Sequence, residues 1–462
     1  MGMMRLSQAA AMLGVPFSGT DAEVQRVSTD SRSIRPGDLF IALRGEKFDG
    51  GAFAAQALRH GAAGVVLDRA QAPDLAAAVR VDDTRLALGR LAAAWRQRFA
   101  IPVVAITGSN GKTTVKEMLA AILRTETGSD AAVLHTEGNL NNDIGLPLML
   151  LRLRDTHQFA VLEMGMNHAG EIDYLTRLAR PDVALVNNAL TAHIGYLGSV
   201  ENIARAKGEI FNGLADAGIA VFNADDAHAW LWRESNTRRS VIDFGLREPA
   251  AVRGQYQPGD FGSALTLTLP NATLDIVLQV PGEHNVMNAL AAATAAFALD
   301  VSHRSIVAGL SGFTGVKGRL QRKPALHGST FIDDTYNANP DSVKAALAVL
   351  ARQPGKKVLV LGDMGELGKD AAAMHVQIGL AAREAGVDRL LALGELTKQT
   401  VGAFGAGAMH FERIQELLAE LENELTAETT VLVKGSRFMQ MERVVQSFVE
   451  APGGQAAGGQ GH

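Results

Sequence analysis

Ile106-Thr107-Gly108-Ser109-Asn110-Gly111-Lys112-Thr113-Thr114 decides how this chain reads. The apolar run Ile101–Ile106 precedes it and predicts a strand, while Val115, Met118, Leu119 and Ile122 follow at helical spacing. Strand, glycine turn, helix start is the arrangement of a phosphate-binding loop. Its backbone N–H groups and the helix N-terminus face a polyphosphate. Lys112 would reach the β- and γ-phosphates, and the Thr113 hydroxyl would take a place on Mg²⁺. The generic pattern asks for glycine five residues before Gly111; here that residue is Ile106, so the loop is a shortened variant.

On either side of the loop the chain falls into three blocks. Residues 1–100 mix alanine-rich helix patterns (Ala52–Leu58, Leu86–Trp95) with short strands such as Asp38–Leu43 and Gly64–Leu67. This predicts a small α+β unit. Residues 101–316 alternate apolar strands (Val103–Thr107, Phe159–Glu163, Val183–Asn187, Ile219–Asn223) with helices, which predicts a mostly parallel, covered sheet. Leu265–Leu269 and Leu274–Val280 alternate with period two, so antiparallel strands should join its edge. Residues 317–450 carry strands at Thr330–Asp333, Lys357–Leu361, Arg389–Leu393 and Thr430–Lys434, a second open α/β unit. The Gly/Gln/Ala-rich tail 451–462 is expected to be disordered.

Bulk composition narrows the class. The 462 residues carry a net charge of −5, with no general basic field to favour nucleic acid. There is no cysteine, which excludes disulfides, thiolate metal sites and a cysteine nucleophile. No apolar stretch reaches membrane-spanning length, and no basic segment followed by an apolar run opens the chain. A cytoplasmic enzyme or binding protein without stable membrane insertion is expected.

Ligands of open α/β sheets sit at the carboxyl ends of the strands, and several polar residues fall there. Glu163 ends its strand, where it would either hold Mg²⁺ or cap the next turn. His193 follows Val183–Asn187 as a ligand or a plainly exposed side chain. Lys207 lies on the apolar stripe Ile203, Ile210, Leu214, so it must snorkel or be a buried amine of lowered pKa, open to modification. Asn285 and Asn288 share a helix face. The first reads as a cap, the second as a partner for an adenine edge. Arg319, in Gly315-Val-Lys-Gly-Arg319, reads as a phosphate-directed arginine at a hinge. Asp333-Asp334, the loop with Asp363 and Glu366, and Lys434-Gly-Ser-Arg437 would set opposite charges at the mouth of the third block.

These motifs, in this order, resemble the Mur ligase superfamily over essentially the whole chain up to about Val449. The resemblance rests on Thr107–Thr114, with Ser109 where threonine is common. It rests further on Glu137-Gly-Asn-Leu-Asn-Asn-Asp-Ile-Gly-Leu-Pro147, Glu163-Met-Gly-Met-Asn-His168, Lys207-Gly-Glu-Ile-Phe211, Asp334-Thr-Tyr-Asn-Ala-Asn-Pro340 and Leu361-Gly-Asp-Met-Gly-Glu-Leu-Gly368. It implies an N-terminal UDP-sugar domain (1–100), a central ATPase (101–316) and a Rossmann-like C-terminal domain (317–450). It implies an ATP-dependent ligase that adds D-alanyl-D-alanine to UDP-N-acetylmuramoyl-tripeptide, acting as a monomer in peptidoglycan precursor synthesis. Thr113 and Glu163 would hold one Mg²⁺. Glu163, His193 and a carbamylated Lys207 would hold a second. Asn285, Asn288, Arg319 and Asp334 would meet the nucleotide. Ser31 and Arg32, in Asp30-Ser-Arg32, would meet the uridine nucleotide; Leu43–Gly50 resembles the same region. Thr136, Asn139, Asn141 and Asn142 would face the muramoyl-peptide, and Tyr336 and Asn339 the dipeptide side. Folylpolyglutamate synthase shares the loop and the acyl-phosphate chemistry; Asn139-Leu-Asn-Asn142 and Asp363-Met-Gly-Glu-Leu-Gly368 argue against it. A ligase for the third amino acid is disfavoured by Tyr336-Asn-Ala-Asn-Pro340. A nucleotide switch would hydrolyse ATP without the other substrates.

Overall fold

The computed structural model of the chain describes residues 2–45, 49–70, 75–192 and 194–449. His193, residues 46–48 of the Leu43–Gly50 motif and the tail 451–462 lie outside the described residues.

Nine strands form the central sheet, in the order Ala272–Leu278, Ser263–Leu269, Val252–Pro258, Ser240–Gly245, Ile219–Asn223, Val183–Val186, Val103–Thr107, Phe159–Glu163, Val133–His135. The first three are antiparallel to one another and the rest run parallel. The loop strand Val103–Thr107 is buried throughout and paired on both sides, which is why it is an unbroken apolar run. Its register sets Thr107 beside Val186 and Ile106 beside Glu163. The carboxyl ends of three neighbouring strands therefore open at one edge. The strand expected to reach Asn187 ends at Val186, and Asn187 turns into the loop.

The helix Lys112–Thr127 is bounded by two left-handed glycines, Gly111 (φ 82°) and Gly128 (φ 67°). It packs with Glu283–Phe297 and His303–Ser311 on one face of the sheet. Six of the eight residues from Ala289 to Ala296 are alanine, and their small side chains let that helix lie deep against its neighbours. The other face shares a continuous core with the N-terminal block. There Leu88, Leu91 and Trp95 of the helix Thr84–Arg96 join Ala105, Leu162 and Ala184. The Trp95 indole donates to the Leu153 carbonyl at 3.2 Å across this junction.

The N-terminal block carries four parallel strands (Arg26–Ser28, Asp38–Ile41, Gly64–Asp68, Ala78–Val81) beside a short antiparallel pair, Met4–Arg5 with Glu23–Val24. The third block carries six strands in the order Gln321–Pro324, Thr330–Asp334, Thr429–Lys434, Lys356–Gly362, Arg389–Leu393, Ala408–Phe411. All are parallel except the first, and apolar cores lie on both faces.

Candidate active site

The loop after Val103–Thr107 is held by amides that sequence reading passed over. Asn188 Oδ1 accepts from the Asn110 N–H at 2.9 Å. The side chains of Asn187 and Asn188 both donate to the Asn110 carbonyl, at 3.0 and 3.1 Å. Asn187 also donates to Asn288 Oδ1 at 2.9 Å. A Cβ at residue 111 would lie 2.3 Å from Asn288 Oδ1 and 2.5 Å from Asn187 Nδ2, so space and the positive φ both demand glycine there. Their signal in the sequence was their place: two asparagines ending a strand that neighbours the loop strand. Lys112 Nζ curls back to donate to the Gly108 carbonyl at 2.6 Å and the Ser109 carbonyl at 3.3 Å. Burial lowers its pKa, with Glu163 opposing and Arg319 adding to the effect.

Glu163 is 3% exposed, and its carboxylate is shared. Thr113 Oγ1 donates to one oxygen at 2.9 Å, and Asn141 Nδ2 donates to the other at 2.9 Å. Arg319, from the third block, donates to the same Thr113 hydroxyl at 3.2 Å and stacks over Tyr336, its guanidinium carbon 4.4 Å from the ring centre. Thr113 and Glu163 thus present converging hard oxygens, which suit Mg²⁺. Lys207 is 1% exposed at the end of the helix Val200–Gly208, which Ser199 caps. Burial and the nearby Lys112 charge push its amine well below the ordinary range, and among the described residues no carboxylate opposes them. The snorkelling alternative is set aside. Among the described residues no three His, Asp or Glu groups converge as a metal cluster.

A cleft of about 1670 Å³ runs between the blocks. Ser109–Thr114, Asn139, Asn141, Asn142, Glu163, Asn285, Asn288, Arg319, Asp334, Tyr336 and Asn339 all line it. Thr107 and Gly108 lie under the loop, with the Thr107 hydroxyl donating to the Met164 carbonyl at 2.9 Å. Other expected residues do not reach the wall. Thr136 is 1% exposed, and its hydroxyl accepts from the Glu163 N–H at 2.9 Å behind the cleft. Ser31 and Arg32 sit at the surface, Arg32 paired with Asp30 at 2.8 Å. Asn285 is no N-cap, since Gly282 holds that position; its side chain donates to the Pro281 carbonyl at 2.7 Å and accepts from Asn288 at 3.1 Å. Asn339 caps the helix Pro340–Ala351 and exchanges amide hydrogen bonds with Asn110, at 2.8 and 3.3 Å.

The charges expected at the mouth of the third block are largely spoken for. Asp334 accepts from Lys434 at 2.5 Å. Burial pushes the carboxyl up and the amine down, and each charge opposes the other's shift. Asp363 is turned inward, taking the N–H groups of Glu395 and Thr397 at 2.9 Å each. His284 lines the cleft beside them; burial and the Lys434 charge pull its imidazole down to about 4, so it is neutral at pH 7.

A parallel sheet with a phosphate loop, a carboxylate on the adjoining strand and an arginine delivered by a further α/β unit defines an ATP-dependent ligase class. The chain belongs to the Mur ligase family. Residues 23–96 match the Mur ligase family catalytic domain, 106–296 the Mur ligase middle domain and 318–437 the Mur ligase glutamate ligase domain. It is 44% identical over 453 residues to the UDP-N-acetylmuramoyl-tripeptide–D-alanyl-D-alanine ligase of Escherichia coli (strain K12), covering 96% of this chain and 98% of that protein. Among solved structures it resembles MurF from Acinetobacter baumannii, with TM-score 0.88 and 39% identity over 96% of this chain and 97% of that one. It also resembles MurF ligase from Thermotoga maritima in complex with ADP, with TM-score 0.82 and 28% identity over 91% and 96% of the two chains.

Proposed function

We infer that the chain is an ATP-dependent ligase that joins D-alanyl-D-alanine to UDP-N-acetylmuramoyl-tripeptide. One observation carries this reading: Lys112, the Thr113–Glu163 pair and Arg319 of another block meet in one cleft. An amide does not form from a carboxylate and an amine in water without activation. The terminal carboxylate of the tripeptide attacks the γ-phosphorus of ATP, giving an acyl-phosphate and ADP. The dipeptide amine adds to the acyl carbon, and the tetrahedral adduct expels inorganic phosphate and a proton. No enzyme nucleophile is needed; the protein supplies position, charge and dryness.

Lys112 leaves its loop carbonyls for the phosphates. Arg319 brings a second fixed positive charge as the third block closes. Mg²⁺ bound at Thr113 and Glu163 would neutralise triphosphate charge. In a second-ion site of Glu163, His193 and Lys207, the Lys207 amine, whose uncharged form burial favours, would take up CO₂, forming an N–C bond and releasing one proton. The resulting carbamate turns an unwelcome cation into an oxygen donor. We assign residues 1–100 to the UDP-sugar end, 101–316 to ATP and 317–450 to the dipeptide, in a monomer. Among the described residues no helix is long and apolar enough to cross a membrane, in keeping with cytoplasmic action.

Phosphate release is the test. With ATP and Mg²⁺ it should require both the UDP-tripeptide and D-alanyl-D-alanine, with a product heavier by one dipeptide less water. Release indifferent to the muramoyl substrate would overturn the reading.

A further inference from the structure

Three residues beyond Thr113 on the loop helix stands a lysine that the chemistry above does not use. Lys116 is 1% exposed and lines no part of the cleft. Its Nζ donates to the Thr136 carbonyl at 2.6 Å and lies 2.6 Å from Glu117 Oε1. Thr136 is equally buried, and its hydroxyl accepts from the Glu163 N–H at 2.9 Å. The spacing of three puts Lys116 and Thr113 on the same face of the helix. That helix therefore grips the end of the strand Phe159–Glu163 twice. Thr113 holds the Glu163 carboxylate directly, and Lys116 holds its backbone through Thr136. The segment leaving Thr136 also carries Asn141, which takes the other Glu163 oxygen at 2.9 Å.

We propose that Lys116 is a positioning residue: by pinning Thr136 it fixes where Glu163 and Asn141 present their oxygen and amide to the cleft. A buried ammonium is costly where an apolar side chain would fill the same space, so mere packing does not account for a lysine here. Groups that orient a metal-binding carboxylate change metal affinity or activity by about 10- to 100-fold when removed. The inference rests on the reading of Glu163 as a metal donor, so its test separates the two.

The probe is Mn²⁺, followed by electron paramagnetic resonance with a non-hydrolysable ATP analogue on the full-length protein. Lys116→Met should weaken Mn²⁺ binding about tenfold or more and lower kcat similarly, with KM for D-alanyl-D-alanine unchanged within about twofold. Thr136→Val keeps both charges paired and breaks the same route. It should act in the same direction, and the double variant should be no worse than the poorer single within about twofold. A folded Lys116→Met with wild-type Mn²⁺ affinity, beside a Glu163→Gln that has lost it, overturns the proposal alone. Wild-type affinity in Glu163→Gln removes the donor assignment and the proposal with it. Should Lys116→Met not fold, Thr136→Val decides: weakened Mn²⁺ binding supports the route, and unchanged binding overturns it.

Discussion

Lys207 is buried and Lys112 half-buried near it, and their surroundings give them opposite tasks. Lys112 has loop carbonyls and the charge of Glu163 to sustain its ammonium. Its loss should lower kcat about a hundredfold or more, as removal of a transition-state charge contact does; near-normal turnover of Lys112→Ala would take the loop out of the chemistry. Among the described residues Lys207 has no such support, so its amine is a burden on the fold that only function explains. Its native pKa lies below the ordinary 10.5, so the unfolded chain binds more protons between those two values. Stability therefore rises with pH across that window. Lys207→Met should melt higher than the parent in CO₂-free buffer while losing turnover, with a margin that is largest on the acid side and fades toward pH 10.5. A lower melting temperature at every pH would contradict the uncompensated burial. Lys207→Arg, which keeps the charge but forms no carbamate, should be inactive even with added bicarbonate.

At the level of elements, the phosphate loop is a strand end and a helix start joined by a turn that tolerates no side chain at Gly111. Gly111→Ala would set a methyl 2.3 Å from Asn288 Oδ1 and force a left-handed backbone costing about 1–2 kcal/mol. Calorimetric titration with ADP should show affinity reduced at least about tenfold, because the loop N–H groups lose their aim. Unchanged affinity would mean that Asn187 and Asn288 do not shape the loop. The strand patterns that place this turn were plain in the sequence, since a doubly covered parallel strand must be apolar throughout. The asparagines that brace it were not. An amide at a strand end reads as an ordinary turn residue until the neighbouring strand is known. Thr136 ran in the other direction: the family resemblance set it facing the muramoyl-peptide, but its hydroxyl is taken by a buried N–H of Glu163.

Across the whole molecule, the third block meets the central one through Phe261, which packs against the third block's apolar core, and through polar contacts around the cleft. Asn110 pairs with Asn339, Thr191 donates to Asp341 through its backbone (3.0 Å) and hydroxyl (2.5 Å), and Arg319 reaches Thr113. Gly195 passes so near Gly368 that a Cβ on Gly195 would lie 2.8 Å from the Gly368 nitrogen. Hydrogen bonds of about 1 kcal/mol each make this a light latch, and losing one shifts an open–closed balance roughly fivefold. Asp341→Ala loses two of them and should therefore raise KM for D-alanyl-D-alanine roughly thirtyfold while leaving ATP affinity within twofold. An equal rise in both constants would show that the contact is not specific to closure.

The sequence by itself determined the parallel sheets and the loop, and only the family resemblance it carries grouped Lys112, Thr113, Glu163 and Arg319 in one expected chemistry. The sheets and the loop follow from local rules: apolar periodicity, glycine at a turn, a polar residue where a strand ends. The tertiary structure decided what those rules do not reach. It set Asn187 and Asn188 against the loop, turned Thr136 and Asp363 inward, left Ser31 and Arg32 at the surface and brought Arg319 206 positions along the chain to Thr113. A side chain's partner across a cleft depends on how separate units pack. Packing is settled by the summed burial of whole faces, and no single stretch of sequence records it.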